Sequence, residues 1–298
     1  MTDPTGRPAF RFAPSPTGEL HIGHALSALV GWHWAQRLGG RFLVRIEDID
    51  IGRSREHFVE QILDDLTWLG LTWETPVRRQ SEHFAAYQAQ AAKLERLGLL
   101  YPCFATRREI ASAVADRPGQ ATDPDGVPLY PGLHKKLDAD EITARKAAGQ
   151  PFALRLDMDR ALVVAERITG GAEITYTALD EDGDRHEIVA EPRRWGDAVI
   201  VRKDVPASYH LAVVSDDAEQ GITHVTRGRD LEAATDLHRL LQVLLGLPAP
   251  HYHHHRLILD DGGAKFSKRD GAVSLRALRE GGATRDAVLE MIEAKTAP

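Results

Sequence analysis

The sequence has a single cysteine, Cys103, so an intramolecular disulfide is excluded. It also lacks any apolar run long enough to span a bilayer, and its first ten residues, MTDPTGRPAF, contain no apolar signal-peptide core. These absences argue against a disulfide-stapled secreted domain and against a helical membrane protein. We therefore expect a protein of the cytoplasm.

An excess of positive charge is also missing. The 37 lysine and arginine residues are outnumbered by 44 aspartate and glutamate residues, which gives a formal net charge of -7. This balance argues mildly against nucleic acid, but a phosphate-binding surface needs only local basicity, which whole-chain charge does not report. The composition neither supports nor excludes an RNA partner. A length of 298 residues suffices for one large domain with an insertion or for two domains.

The stretch around which the chain is organised is residues 9–26, AFRFAPSPTGELHIGHAL. Its first residues alternate apolar and polar side chains, as a strand does. Pro14 and Pro16 end the strand, Gly18 permits a tight turn, and helical periodicity begins at Leu20. In an open α/β sheet such a junction points the N-terminus of the helix at a ligand beyond the strand end, where backbone N–H groups favour an anion.

Two histidines, His21 and His24, lie three residues apart in the first turn of that helix. Both imidazoles can therefore face the same phosphate. The alternative is a pair of surface histidines on an ordinary amphipathic helix, and for an isolated H-x-x-H that alternative would be preferred. Within P-S-P-T-G-x-L-H-I-G-H it is disfavoured.

This stretch resembles the first signature of the class I aminoacyl-tRNA synthetases, in its glutamyl/glutaminyl form. The second signature of that family is a lysine-serine-lysine loop far downstream, and Lys265-Phe266-Ser267-Lys268-Arg269 matches it. Residues 45–50, RIEDID, and 222–228, ITHVTRG, also resemble segments of glutamyl enzymes. The resemblance runs from about residue 9 to 270 and is weakest between 105 and 190.

The order strand, helix, strand, helix before residue 100 predicts an α/β fold with a parallel, doubly wound sheet. The resemblance implies a Rossmann-type class I synthetase catalytic domain with an inserted mixed α/β subdomain and a short helical C-terminal segment. We expect the following divisions: first half of the Rossmann domain, 1–100; inserted acceptor-binding-like subdomain, 101–194; second half of the Rossmann domain, 195–260; lysine-signature loop and helical stem-contact segment, 261–298.

Within the insertion, strand-like runs occur at 152–156, 174–179 and 186–190, and Asp182-Gly183-Asp184 predicts the turn of a hairpin. Further on, the histidine-rich run at 251–255 could be mistaken for a metal cluster. It leads into a predicted strand at 256–259, and adjacent residues of a strand point to opposite faces. We therefore favour a phosphate-side or structural role for these histidines over a metal.

The resemblance also implies the chemistry of the site. When a carboxylate attacks the α-phosphate of ATP, negative charge gathers on the phosphoryl oxygens, so the site needs positioning and fixed positive partners. The resemblance assigns catalysis to four residues: His21, His24, Lys265 and Lys268. It assigns ATP binding to a partly overlapping set: His21, Gly23, His24, Ser267 and Lys268. Mg²⁺ should accompany the ATP, held mainly by the phosphates.

Substrate choice is a matter of matching charge, because a glutamate side-chain carboxylate in a pocket must meet an arginine. The resemblance selects Arg11 and Arg227 for that carboxylate and Glu47 for the α-ammonium group. The glutamate-binding set is completed by further contacts from Ala13, Ser15 and Tyr209. The alternative for Arg11 is a structural ion pair with Glu47 between neighbouring strands.

Zinc is a point of departure from the family, whose insertion usually binds the metal through a Cys-x-Cys pair and a Tyr-x-x-x-Cys pair. The corresponding positions here are Cys103, Ala105, Tyr130 and His134. Alanine has no lone pair to donate, and structural zinc normally requires four ligands. We therefore expect no bound metal at these degenerate positions.

The length implies a branch of the family. Only 28 residues follow Asp270, whereas a separate anticodon-binding domain needs about 100 or more. We therefore expect no such domain, as in the short glutamyl-queuosine tRNA(Asp) synthetases. That family implies ATP-dependent activation of L-glutamate and its transfer to queuosine in tRNA(Asp), by a monomer without membrane contacts. The alternatives are a shortened enzyme charging the 3′ end of tRNA(Glu), and a non-catalytic paralogue that binds glutamate or a nucleotide.

Overall fold

The structure, a computed structural model, describes residues 6–115, 119–259 and 273–296. The strands are β1 (Ala9–Phe12), β2 (Arg41–Ile46), β3 (Glu74–Arg79), β4 (Leu100–Cys103), β5 (Ala153–Leu156), β6 (Thr175–Leu179), β7 (Arg185–Val189), β8 (Val199–Val201), β9 (His224–Gly228) and β10 (His251–His255). The helices are α1 (Ile22–Arg37), α2 (Glu56–Trp68), α3 (Phe84–Arg96), α4 (Arg107–Ala115), α5 (Ala139–Ala147), α6 (Met158–Thr169), α7 (Tyr209–Glu219), α8 (Ala234–Leu245), α9 (Leu275–Glu280) and α10 (Arg285–Thr296).

Seven of these strands form one large sheet in the order β3-β2-β1-β9-β10-β6-β7. All neighbours from β3 to β6 are parallel, and β7 pairs with β6 as an antiparallel edge strand. The order of the strands reverses between β1 and β9, which is where open α/β sheets bind their ligands. The mostly parallel, doubly wound sheet predicted from the sequence is confirmed.

The described residues form three hydrophobic clusters, of which the smallest lies within the large sheet around Val225 and Tyr252. Phe10 and Phe12 of β1 pack with apolar residues of α1, α2 and α10, whereas a second core joins α3, α6, α7 and α8. Close approach of α1 to the sheet depends on Gly31, because a Cβ at that position would lie 2.7 Å from Oγ1 of Thr226 on β9. The middle of α1 is thereby held against β1 and β9.

A second sheet of three antiparallel strands has the order β4-β5-β8. The expected inserted subdomain, residues 101–194, stays a proposal. Strands inside this range pair with strands outside it. β6 and β7, within 101–194, extend the large sheet, whereas β8, beyond residue 194, pairs with β5. Pairing is decided by contacts between residues far apart in the chain, which the local pattern of a strand does not specify.

The predicted strand at 256–259 is wrong, because the strand is the histidine run itself, β10. All five residues of β10 pair with the five residues of β9, so the backbone hydrogen bonds to β9 are made by residues 251–255. Within the part of the chain that the structure describes, no helix combines the length and apolar character needed to cross a membrane.

Candidate active site

A cavity of about 450 Å³ opens at the point where the strand order reverses. Its walls come from the loop after β1, the first turn of α1, the end of β2, the start of α7 and the ends of β9 and β10. The sequence-predicted site residues that line it are Arg11, Ala13, Ser15, His21, Gly23, His24, Glu47, Tyr209 and Arg227. The other predicted site residues lie outside the described residues: Lys265, Ser267 and Lys268.

The two histidines are locked by the backbone of α1. Nδ1 of His21 accepts a hydrogen bond from the N–H of Gly23, and Nδ1 of His24 accepts one from the N–H of His21, both at 3.1 Å. The ring centroids lie 3.8 Å apart. A neutral imidazole that accepts at Nδ1 carries its proton on Nε2. Each ring is therefore held in the tautomer with an Nε2–H donor, which suits a phosphate oxygen.

Gly23 lies directly against the first of these rings. A Cβ at this position would stand 3.0 Å from Cε1 of His21. Since carbon atoms rarely approach so closely, a side chain there would push the imidazole away by a few tenths of an ångström. The glycine between the two histidines thus keeps the His21 ring in its capping position.

Arg11 and Glu47 belong to a buried network of charges that also includes Arg45, Asp216 and Asp217. Nε of Arg11 donates to Oδ1 of Asp217 at 3.1 Å, and Nη1 of Arg45 donates to the same oxygen at 2.7 Å. Nη2 of Arg45 also donates to Oε1 of Glu47 at 3.2 Å. The alternative of an ion pair between Arg11 and Glu47 is therefore wrong: Asp217 and Arg45 are the respective partners.

The network sets the protonation of its acids. Burial acts to raise the pKa of Asp217, but the guanidinium groups of Arg11 and Arg45 outweigh it and leave that pKa below its usual value. Burial raises the pKa of Glu47 above its usual value despite the same two arginines. An α-ammonium group entering the cavity would favour the ionised form of Glu47.

Arg227, on β9, is 5% exposed and has a different environment. Its guanidinium donates to Thr235, His238 and His254, which are all neutral acceptors. Among the described residues, no carboxylate lies within 4 Å of it. A buried cation that lacks a carboxylate partner is a favourable position for the carboxylate of a ligand.

The strand β10 brings one of its histidines to the cavity. Nε2 of His255 lies 2.9 Å from Oγ of Ser27, and both residues line the cavity wall. His253 instead hydrogen-bonds the carbonyl of Leu179 at 3.0 Å. No group of three or more potential metal ligands occurs among the described residues.

Several cavity residues have no counterpart in the sequence prediction. They are Phe12, Pro14, Thr17, Leu26, Ser27, Thr226, Gly228, Asp230, Leu231, His255, Arg256, Leu257 and Ile258. Arg45 and Asp217, which organise Arg11 and Glu47, were also missed. A signal for Arg45 was present, because an arginine between the apolar residues Val44 and Ile46 of a predicted buried strand must find a buried partner.

The buried histidines predict an acid-labile fold. Burial lowers the pKa of His210 and His224 to about 4 and that of His254 to about 2, and it lowers the pKa of His238 well below the usual range. An unfolded histidine titrates at about 6.5, so below that pH the unfolded chain binds more protons than the native one. Burial raises the pKa of Asp65 to about 6 and also raises the pKa of Glu47, so these two carboxyl groups act in the opposite sense for about two protons.

We therefore expect the free energy of unfolding to fall as pH drops from 6.5 towards 4, with a slope on the order of two protons. Urea unfolding at closely spaced pH values measures this slope. His224→Asn keeps an acceptor for the Thr223 hydroxyl and should reduce the slope by about one proton. A stability that stays constant over this range would contradict the prediction.

The degenerate zinc positions lie close together and hydrogen-bond to one another and to the backbone. Sγ of Cys103 donates to the hydroxyl of Tyr130 at 3.3 Å. Nδ1 of His134 accepts hydrogen bonds from the backbone N–H groups of Phe104 at 3.2 Å and Ala105 at 3.1 Å. Ala105 cannot coordinate a metal, and a His134 ring that accepts at Nδ1 carries its proton on Nε2, so neither of its nitrogens offers a lone pair. These residues do not fit a structural zinc site.

We expect the purified protein to contain no stoichiometric zinc. Its folding should also be insensitive to chelators, because hydrogen bonds occupy the positions where metal bonds would otherwise hold the segment together. Elemental analysis together with thermal unfolding in the presence and absence of EDTA measures both quantities. One zinc per chain, lost on chelation with a fall in Tm, would overturn this expectation.

The sequence of this chain is similar to known proteins along almost its whole length. Residues 9–295 match the family described as "tRNA synthetases class I (E and Q), catalytic domain". The chain is 46% identical to a glutamyl-Q tRNA(Asp) synthetase of Rhodobacter capsulatus, over 92% of this chain and 95% of that protein. It is 38% identical to a glutamate–tRNA ligase of Aquifex aeolicus, over 95% of this chain but 56% of the ligase.

Among solved structures, a glutamate–tRNA synthetase from Elizabethkingia anophelis superposes with a TM-score of 0.76 at 26% identity. The match covers 96% of this chain and 61% of that one, so the chain spans about three fifths of the solved synthetase. The family match covers residues 9–295, and the identity to the Rhodobacter capsulatus protein is 46%. The chain belongs to the class I tRNA synthetases for glutamate and glutamine, and it is an enzyme of the ligase class.

Proposed function

We propose that this enzyme activates L-glutamate with ATP and transfers the glutamyl group to the queuosine base at the wobble position of tRNA(Asp). The observation that carries the choice of amino acid is Arg227, a buried guanidinium in the cavity wall with neutral protein partners only. The acceptor is supported by the 46% identity to a protein named glutamyl-Q tRNA(Asp) synthetase, against 38% to a glutamate–tRNA ligase.

In the first step the α-carboxylate of glutamate attacks the α-phosphorus of MgATP. The bond from that phosphorus to the bridging oxygen breaks, and pyrophosphate leaves. Mg²⁺ bound to the ATP phosphates would neutralise part of their charge. In the second step a hydroxyl of the cyclopentene ring of queuosine attacks the acyl carbon. An ester forms, AMP leaves, and the hydroxyl proton passes to solvent or to the departing phosphate.

His21 and His24 serve the first step in this proposal. Their backbone bonds fix both rings as Nε2–H donors, so no reorganisation is needed when charge develops on the phosphoryl oxygens. Gly23 keeps the ring of His21 in position. From the resemblance in sequence we propose that Lys265, Ser267 and Lys268 act on the same phosphates.

The glutamate substrate would lie between Arg11 and Arg227. Arg227 and Arg11 bind its side-chain carboxylate, with Arg227 contributing the unmatched charge because Asp217 already neutralises Arg11. Glu47, held by Arg45, accepts the α-ammonium group. Further contacts come from Tyr209, Ala13 and Ser15. Since ATP and tRNA are both cytoplasmic, the proposed reaction belongs to the cytoplasm.

Pyrophosphate exchange without tRNA tests the activation step. We expect exchange of labelled pyrophosphate into ATP that depends on glutamate, with glutamine and aspartate giving little. The lack of exchange in a folded protein would favour a non-catalytic binding protein. Exchange that required tRNA(Glu) would favour a shortened charging enzyme instead.

A further inference from the structure

Two elements, β10 and α8, surround Arg227 with neutral side chains. His254 lies opposite Arg227 in the register of β9 and β10, and its Nε2 is 3.4 Å from Nε of the arginine. Thr235 and His238 lie three residues apart on α8 and therefore on one face of that helix. Nη2 donates to Oγ1 of Thr235 at 2.6 Å, and Nη1 lies 3.3 Å from Nδ1 of His238.

The arginine dictates the state of both histidines. A guanidinium has donors only, so Nε2 of His254 and Nδ1 of His238 must be acceptors without a proton. His238 then carries its proton on Nε2 and donates to Nδ1 of His210 at 3.1 Å. Burial, followed by the charge of Arg227, lowers the pKa of His210, His238 and His254, which agrees with three neutral rings.

Arg11 provides the contrast within the same cavity. Its guanidinium pairs with Asp217, whose pKa lies below the usual value, so the charge of Arg11 is matched inside the protein. The side chain of Arg227 is equally buried, yet its hydrogen-bond partners Thr235, His238 and His254 are all uncharged. The protein thus holds the geometry of Arg227 firmly while leaving its charge unmatched.

We propose that Thr235, His238 and His254 are positioning residues that make the cavity selective for a carboxylate over an amide. This inference rests on the proposed glutamate activation. A glutamate side chain supplies the charge that Arg227 lacks, whereas a glutamine side chain supplies an oxygen acceptor but no charge, and its NH₂ group opposes the arginine donors. An acidic residue in place of any of the three would cancel this selectivity.

A matched pair at position 238 isolates charge from shape. His238→Asn and His238→Asp have the same size, and both place an oxygen near the former Nδ1 and lose the bond to His210. In tRNA-free pyrophosphate exchange, we expect the Asp variant to raise the glutamate KM on the order of 100-fold over the Asn variant, as when a buried charge loses its partner. The KM for ATP should be the same in both variants, and the preference for glutamate over glutamine should shrink only in the Asp variant.

A second pair, at Thr235, covers the case in which an acidic variant fails to fold. Thr235→Val removes the acceptor for Nη2 without changing the shape, and Thr235→Ser restores it. We expect about a tenfold higher glutamate KM in the Val variant with little change in kcat, and recovery in the Ser variant.

The outcomes separate the two proposals. If the unmodified enzyme shows no glutamate-dependent exchange, the proposed function fails. If it does exchange, the inference is overturned by equal glutamate KM values for the Asn and Asp variants. It is also overturned by Val and Ser variants at position 235 that both match the unmodified enzyme.

Discussion

Replacing Arg227 with glutamine should raise the glutamate KM steeply and leave the ATP KM nearly unchanged. The substitution removes the unmatched charge at the buried end of the cavity while keeping a hydrogen-bonding side chain of similar length. Loss of a buried charged partner costs about 2–5 kcal/mol, which corresponds to roughly 30-fold to several thousand-fold in kcat/KM. Steady-state pyrophosphate exchange with each substrate varied in turn measures the effect.

Arg229→Gln is the matched control, because the same chemical change falls on an exposed arginine two residues further along the chain. Its exchange kinetics should stay close to those of the unmodified enzyme. Arg11→Gln should weaken glutamate less selectively, since it also leaves Asp217 without one of its two arginines. If Arg227→Gln weakened ATP and spared glutamate, Arg227 would belong to the nucleotide site.

His24→Asn should lower the rate of adenylate formation by roughly 10²–10³ while preserving the fold. The oxygen of asparagine can take the place of Nδ1 and accept the hydrogen bond from the backbone N–H of His21. What the variant loses is the Nε2–H donor of the imidazole. Because that donor is proposed to act on charge that develops in the transition state, kcat should fall more than substrate affinity.

Single-turnover formation of glutamyl-adenylate, with thermal unfolding in parallel, separates the two effects. His33→Asn serves as the control, since His33 is exposed on the same helix and does not line the cavity. A His24→Asn protein with an unchanged Tm and a normal rate of adenylate formation would exclude His24 from the chemistry.

The strand, loop and helix at residues 9–26 could be predicted because their signals are local. Pro14 and Pro16 end one element, and helical periodicity begins the next. Parallel sheets bring the ends of their strands to one edge, so Arg11, Glu47 and Arg227 could also be expected at a common cavity. Lys268 and its neighbours lie outside the described residues and stay a prediction.

Long-range pairing could not be predicted. The partner of Arg11 is Asp217, 206 residues away, and nothing in the sequence near Arg11 indicates it. β6 and β7 read locally as a hairpin, which is correct, but their place in the large sheet depends on β10. The strand was predicted at 256–259 and not at the histidine run, because polar residues rarely form a buried strand without partners such as Arg227.

The helix α6 was missed although its boundaries carry the usual signals. Asp157 caps its first turn, and Gly170 ends it in a left-handed conformation. Between them, the β-branched residues Val163, Val164 and Ile168 weaken the helical signal. Packing of Ala161 and Ala165 into the core between α6 and α8 outweighs this low propensity.

Transfer of glutamate to tRNA(Asp) with and without queuosine tests the central claim most directly. Labelled glutamate, ATP and the enzyme are incubated with either form of tRNA(Asp), with tRNA(Glu), or with an isolated anticodon stem-loop that carries queuosine. We expect transfer only to the queuosine-containing RNAs, through a bond labile to mild base as an ester is, and weakening steeply with salt because phosphate contacts carry much of the binding. Transfer to tRNA(Glu), or equal transfer to tRNA(Asp) that lacks queuosine, would contradict the account and identify a shortened charging enzyme.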